Sequence, residues 1–244
     1  MLYKRKSEPQ GVAIPYDEVK VKEFIDNLEF TLTPDQEKAV EEILCDIRSN
    51  YKMNRLLQGE VGSGKTIVAA IALYAVVSAN YQGAIMVPTE VLANQHYETF
   101  LNYFKNYNVN ISLLTSSISQ KERTQILRDL ANGKINIIIG THALFQKDVV
   151  FHNLGLVVTD EEHRFGVRQR VSIVGKGYLI DHLKMSATPI PRTLALSFLG
   201  DSDISILKTL PGNRKETITE YIEYQNRHKV FEHIAEQVKQ GRQV

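Results

Sequence analysis

LLQGEVGSGKT, residues 56–66, is the stretch on which the fold turns. Gly59 is followed by Glu60, Val61, Gly62 and Ser63 and then by Gly64-Lys65-Thr66, the spacing of a phosphate-binding loop. Arg55, Leu56 and Leu57 read as the end of a buried strand, and residues 67–79 (IVAAIALYAVVSA) as a long buried helix. Strand, glycine loop and helix in that order suit an anion. Glycines let backbone N–H groups curl around a phosphate, and the helix points its positive end at it. Lys65 can neutralise β- and γ-phosphate charge, and the Thr66 hydroxyl can ligate Mg²⁺. Residues Gly59, Glu60, Val61, Gly62, Ser63, Gly64, Lys65 and Thr66 are therefore the nucleotide-binding candidates. The bland alternative is a glycine turn that meets the pattern by accident.

Upstream of the loop, Thr33-Pro34-Asp35-Gln36 opens a helix. Thr33 is its N-cap, Pro34 stands at the first helical position, and Gln36 falls where a capping-box partner belongs. Ala39, Val40, Ile43, Leu44 and Ile47 form its apolar face. Gln36 has two readings: it closes the cap, or its amide reads an adenine edge. The residues alone favour the cap. Residues 1–30 carry little apolar surface and read as a linker, with a short helix within 19–30.

Downstream, strands and helices alternate. Strands are expected at 84–87, 111–114, 135–139, 155–159 and 182–185, and helices at 90–104 and from a Ser119 cap to Leu130. Strands apolar on both faces, alternating with helices, predict an α/β fold with a mostly parallel sheet covered by helices on both sides. Right-handed crossovers then put every strand's C-terminal end on one edge, where ligands bind. That edge collects the phosphate loop, Pro88-Thr89-Glu90, Gly140-Thr141-His142, Asp160-Glu161-Glu162-His163 and Ser186-Ala187-Thr188.

An apolar strand running into Asp160 has the form of a second Mg²⁺-organising acid, so the expected metal residues are Thr66 and Asp160. Glu161 can orient or deprotonate the attacking water. Lys65, Asp160 and Glu161 are the catalytic candidates. An exposed acidic loop is the alternative for the two acids. His163 would link this site to Ser186 or Thr188 through a hydrogen bond, or serve the fold alone. Zinc is disfavoured because no second histidine stands at ligand spacing. Thr89, Gln95, His96, Thr141, His142 and Arg164 are candidate donors to a nucleic-acid backbone; helix capping is the alternative for Thr89 and Thr141.

Composition sets wider bounds. The 244 residues are 43% hydrophobic and 23% charged with a net charge of +1, so any nucleic-acid site must be a local patch and not a global basic field. One cysteine, Cys45, excludes an internal disulfide framework and fits a reducing, cytoplasmic setting. No signal peptide stands at the start, and the longest apolar run is short of the roughly 20 residues that span a bilayer. No membrane partner is expected.

Taken together, RLLQGEVGSGKT (55–66), VPTEVLANQH (87–96), IIGTHALFQ (138–146), DEEHRFGVRQR (160–170) and SATPIPRTLA (186–195) resemble the first motor domain of a superfamily-2 helicase, most closely the RecG family of ATP-dependent DNA helicases. The resemblance covers roughly residues 32–211. Glu162, where the family usually has Gln, leans toward the related transcription-repair coupling factor. Leu56-Leu57-Gln58 and Phe145-Gln146 lean back toward RecG. Glu60 in place of Asp and Ser186 in place of Thr are conservative departures.

The resemblance implies a RecA-like P-loop NTPase domain at 31–212, using ATP and Mg²⁺, with Gln36 on adenine against the unaided preference for the cap. It implies that His163, Ser186 and Thr188 couple hydrolysis to movement and that Thr89, Thr141, His142 and Arg164 lie in DNA-facing motifs. The implied substrate is branched or duplex DNA, including stalled forks and Holliday junctions. It also implies partners. A second RecA-like domain supplies an arginine finger, and residues 213–244 are read as a linker plus only that domain's first strand and helix. An N-terminal wedge domain would precede residues 1–30. The 244 residues alone are expected to bind nucleotide weakly, hydrolyse it slowly and not unwind DNA. Two other functions compete: a duplex-DNA translocase of the coupling-factor type, and a nucleotide-dependent switch with no motor action.

Overall fold

The strands expected from apolar runs assemble into one all-parallel sheet in the computed structural model of the chain, which describes residues 11–146, 148–161, 180–187, 202–211 and 219–242. Among them are β1 (Asn54–Gly59), β2 (Gln82–Met86), β3 (Ile111–Leu114), β4 (Ile137–Gly140), β5 (Leu154–Asp160), β6 (Asp181–Ser186) and β7 (Asp203–Leu207). Their order is β3-β4-β2-β5-β6-β1-β7, every neighbouring pair parallel. The helices α1 (Glu18–Asp26), α2 (Pro34–Arg48), α3 (Lys65–Ser78), α4 (Glu90–Tyr103) and α5 (Gln120–Ala131) connect or precede them.

The side-chain period of two divides the strands between two cores. Leu57, Ile85, Ile137, Leu156, Val158 and Leu183 pack with α1 to α4, while Ala84, Met86, Ile138 and Val157 pack with Leu130 of α5 and with Leu144 and Val149. This is why both faces of the central strands read as apolar. The helix α3 is apolar all round, and every residue from Ile67 to Val76 is buried; a helix of that composition is stable only inside a core. The capping box of α2 forms as its residues predict. Thr33 Oγ1 accepts from the Gln36 N–H, and Gln36 Oε1 accepts from the Thr33 N–H. Asp35 Oδ2 accepts from the backbone N–H groups of Lys208 and Thr209, which ties the start of α2 to the chain just after β7.

Two features depart from the sequence-based expectation. The strand β7 was not anticipated, because DISIL alternates polar and apolar residues at an edge and leaves Ile206 45% exposed. Residues 11–26, read as a linker, lie against the core: Ile14, Val21 and Phe24 are buried, and the Phe24 ring stacks on Tyr74 of α3 and on Phe104 at centroid distances of 4.8 and 5.2 Å. Three well-placed apolar side chains suffice where average apolar content reads as low.

The chain divides into two units, Met1–Pro211 and Gly212–Val244. In the second, α6 (Arg227–Lys239) buries none of its residues, and residues 219–223 pair with no strand among those described.

Candidate active site

Five consecutive strands of the sheet, β4-β2-β5-β6-β1, deliver the rim segments picked out in the sequence to one edge. The loop after β1 turns through two glycines with positive φ, Gly62 at 84° and Gly64 at 83°. Gly64 is the N-cap of α3 and offers no side-chain acceptor, so the first-turn N–H groups are left for another acceptor. Space also demands glycine. A Cβ on Gly59 would lie 2.5 Å from Ser63 Oγ, and one on Gly64 would lie 2.2 Å from Gln36 Nε2.

Lys65 Nζ donates to the carbonyls of Gly59 at 2.6 Å and Glu60 at 3.0 Å. Burial pushes its pKa down, and the charges of Asp160 and Glu161 pull it up. Thr66 follows it, half-buried, in the first turn of α3, while Glu60, Val61 and Gly62 are exposed at the mouth of the loop. Gln36 forms the cap that its residues predict and reaches the phosphate loop as well. Besides closing the cap, its Nε2 donates to the Ser63 carbonyl at 2.8 Å, and the residue is buried.

Asp160 ends β5 in register with Met185 of β6, which in turn pairs with Leu57 of β1. The acid therefore stands two strands from the phosphate loop on the same face of the sheet. Glu161 is held at φ 54°, a left-handed conformation rare outside glycine, and its N–H donates to the Met185 carbonyl at 3.1 Å. Backbone held in so sparsely populated a region costs on the order of 1–3 kcal/mol and persists only where its surroundings impose it.

The residue that sequence reading placed elsewhere is His96. It was expected among the donors to nucleic acid, but it is 8% exposed, and its Nε2 lies 3.0 Å from Asp160 Oδ2. This corrects its assignment: it faces the acid and not the solvent. The available signal was its place on the buried stripe Ala93–His96–Phe100 of α4. Of the other donors, Thr89 is exposed and caps α4 by accepting from the Leu92 N–H. Gln95 and His142 are exposed. Thr141 is buried, and its Oγ1 finds no partner among the described residues. Ser186 ends β6, buried and in register with Gln58. His163, Arg164 and Thr188 lie outside the described residues.

The residues present fit a nucleotide's phosphates and a hard cation. The glycine cradle would be filled by any Cβ at two of its positions. Ser63 Oγ is fully buried with no partner among the described residues. The Thr66 hydroxyl and the Asp160 carboxylate are the oxygen donors Mg²⁺ prefers.

Comparison with known proteins agrees. Residues 33–196 match the DEAD/DEAH box helicase family. The chain belongs to that family. Within it, the domain is 50% identical over 238 residues to the ATP-dependent DNA helicase RecG of Staphylococcus aureus (strain NCTC 8325 / PS 47), a match covering 98% of this chain and 34% of that protein. A RecG from Staphylococcus epidermidis (strain ATCC 12228 / FDA PCI 1200) is likewise 50% identical, with 35% of it covered. The chain thus spans about a third of the length of the curated relatives it matches. A solved RecG bound to a three-way DNA junction superposes with a TM-score of 0.87 at 42% identity, over 98% of this chain and 32% of that one. The motif-level resemblance to the RecG family and the RecA-like fold it implied are both borne out. The UvsW helicase from bacteriophage T4, with a TM-score of 0.59 at 19% identity, shares the fold. Among the described residues, no helix is long and apolar enough to cross a membrane.

Proposed function

We propose that this helicase domain is the ATP-binding half of a motor that remodels branched DNA, including stalled forks and Holliday junctions, in recombination and repair. In this reading the loop 59–66 holds the nucleotide's phosphates, Lys65 balances their charge, and Thr66 and Asp160 hold Mg²⁺. Mg²⁺ bound there would neutralise charge on the transferred phosphoryl group. Glu161 orients and deprotonates the attacking water. Gln36 has one amide N–H and one lone pair left after its two hydrogen bonds, and these are what an adenine contact would use.

The observation that carries the reading is the placement of Lys65. Its ammonium is held by two loop carbonyls and lies within electrostatic reach of both rim acids. Such an arrangement serves a ligand that brings negative charge into the loop.

Thr89, Gln95 and His142, exposed along the same rim, are the proposed contacts to a DNA backbone, with Arg164 added on sequence alone. His163, Ser186 and Thr188 are the proposed coupling residues. A second RecA-like domain and an N-terminal wedge domain are the proposed partners, and the similarity to a RecG solved on a three-way junction supports DNA as the substrate.

The test is ATP turnover with and without forked DNA by a protein that continues through the second motor domain and carries the wedge. Forked DNA should stimulate turnover, and Glu161→Gln should abolish it while nucleotide binding persists. Turnover indifferent to DNA would contradict the motor and favour a nucleotide switch.

A further inference from the structure

Asp160 is held from a direction that neither the phosphate loop nor its own strand supplies. Its Oδ2 lies 3.0 Å from Nε2 of His96, a residue of α4 that is 64 positions away in sequence. A carboxylate offers only lone pairs, so the imidazole tautomer that pairs with it is the one with its proton on Nε2, which then donates. The imidazole is itself fixed. It belongs to the buried stripe of α4 and packs on the Phe100 ring at a centroid distance of 6.3 Å. Phe100 in turn packs on Tyr103 and Phe104. A polar side chain buried on an apolar stripe costs free energy unless it is paired, and the pairing here is with the acid of the site.

We propose that His96 is a positioning residue for Asp160. By occupying Oδ2 it fixes the carboxylate's orientation and leaves Oδ1 as the oxygen offered to a divalent cation. The assignment rests on the nucleotide-site reading above. Outer partners that orient a metal-binding carboxylate commonly account for about 10–100-fold in metal affinity or activity. The effect belongs to the metal and not to the phosphates, because the hydrogen bond of His96 runs to Asp160 and not to the 59–66 loop.

The experiment separates those two. A fluorescent ATP analogue is titrated into the chain, first with chelator and then with increasing Mg²⁺. Direct Mn²⁺ binding is followed by electron paramagnetic resonance. The variants are His96→Leu, which fills the ring's space without a donor, His96→Ala, and His96→Gln, whose amide can restore the donor. Thermal unfolding is recorded for each. The expected result is metal-free analogue affinity within about twofold of wild type, with the Mg²⁺ and Mn²⁺ concentrations for half-saturation raised about 10–100-fold in His96→Leu and His96→Ala and largely restored in His96→Gln. Wild-type metal dependence in His96→Leu or His96→Ala, whatever their unfolding temperatures, would overturn the proposal and leave a structural histidine. If His96→Ala and His96→Leu do not fold, His96→Phe, which keeps a ring against Phe100 but has no donor, takes their place: a raised metal requirement supports the proposal and wild-type metal dependence overturns it. Nucleotide affinity in the wild-type chain that added Mg²⁺ and Mn²⁺ leave unchanged would overturn the metal assignment of Asp160, and the role of His96 with it, while leaving the phosphate loop to stand.

Discussion

The side-chain amide of Gln36 bridges the start of α2 and the phosphate loop: Oε1 accepts from the Thr33 N–H at 2.8 Å, and Nε2 donates to the Ser63 carbonyl at 2.8 Å. One residue thus links a helix cap to the loop that must close on an anion. Gln36→Ala keeps the Thr33 Oγ1 bond to the backbone but loses the bond to the Thr33 N–H, at about 0.5–1.5 kcal/mol of stability, and should also weaken nucleotide binding. Gln36→Glu keeps an acceptor for Thr33 but sets an oxygen against the Ser63 carbonyl in a buried place. Chemical denaturation should show a loss at least as large as in Gln36→Ala, because a buried polar group left without its partner costs about 1–3 kcal/mol, and analogue titration should show affinity falling as in Gln36→Ala.

Glu161 sits at φ 54°. Glycine tolerates that conformation, whereas a residue with a Cβ is strained by about 1–2 kcal/mol. Glu161→Gly should therefore be more stable than Glu161→Ala by about 1 kcal/mol, the reverse of the usual order of the two residues. Both should lose hydrolysis. Equilibrium unfolding of the pair, with phosphate release measured alongside, checks the order; alanine the more stable would contradict the strained geometry.

Phe24 fills the junction of α1, α3 and the end of α4, 1% exposed and in contact with the rings of Tyr74, Phe104 and Tyr107. Phe24→Ala should cost about 3–5 kcal/mol, the range for a truncated core aromatic. A linker residue would cost almost nothing, so urea unfolding distinguishes a segment that belongs to the domain from one that merely leads into it.

Asp181, at the opposite end of β6 from the rim, is buried. Its Oδ1 accepts from the Met53 N–H at 2.7 Å, and its Oδ2 has no partner among the described residues. Burial raises its pKa to about 7. The folded chain therefore keeps a proton that the unfolded chain releases near pH 4, and stability falls as pH rises from about 4 to about 7. Asp181→Asn keeps the oxygen that Met53 needs and removes the titration. It should flatten that segment of the stability profile and add about 2–4 kcal/mol at pH 8. Denaturation midpoints measured from pH 4 to pH 8 for both proteins test this, and parallel profiles would contradict it.

What could be read from the chain follows a physical line. The loop, the cap of α2 and the buried strands are local patterns, in which spacing alone dictates conformation. The parallel edge that gathers Thr89, Thr141, Asp160 and Ser186 followed from alternation and handedness. Contacts between distant segments were not legible. Nothing near Asp160 in sequence announces His96, and nothing in residues 11–26 announces that Phe24 finds three rings. The edge strand β7 was missed because a half-exposed strand lacks the continuous apolar run of its neighbours. Gln36 was read as a choice between cap and ligand contact, yet in the fold its amide closes the cap and also reaches the loop.

The central claim is that residues 59–66 bind the phosphates of a nucleotide through Lys65. It is tested most directly by titrating a fluorescent ATP analogue with Mg²⁺ into the chain and into Lys65→Ala. The account predicts saturable binding by the first and its loss in the second, with the unfolding temperature of the variant little changed. Equal binding by the two proteins would contradict it.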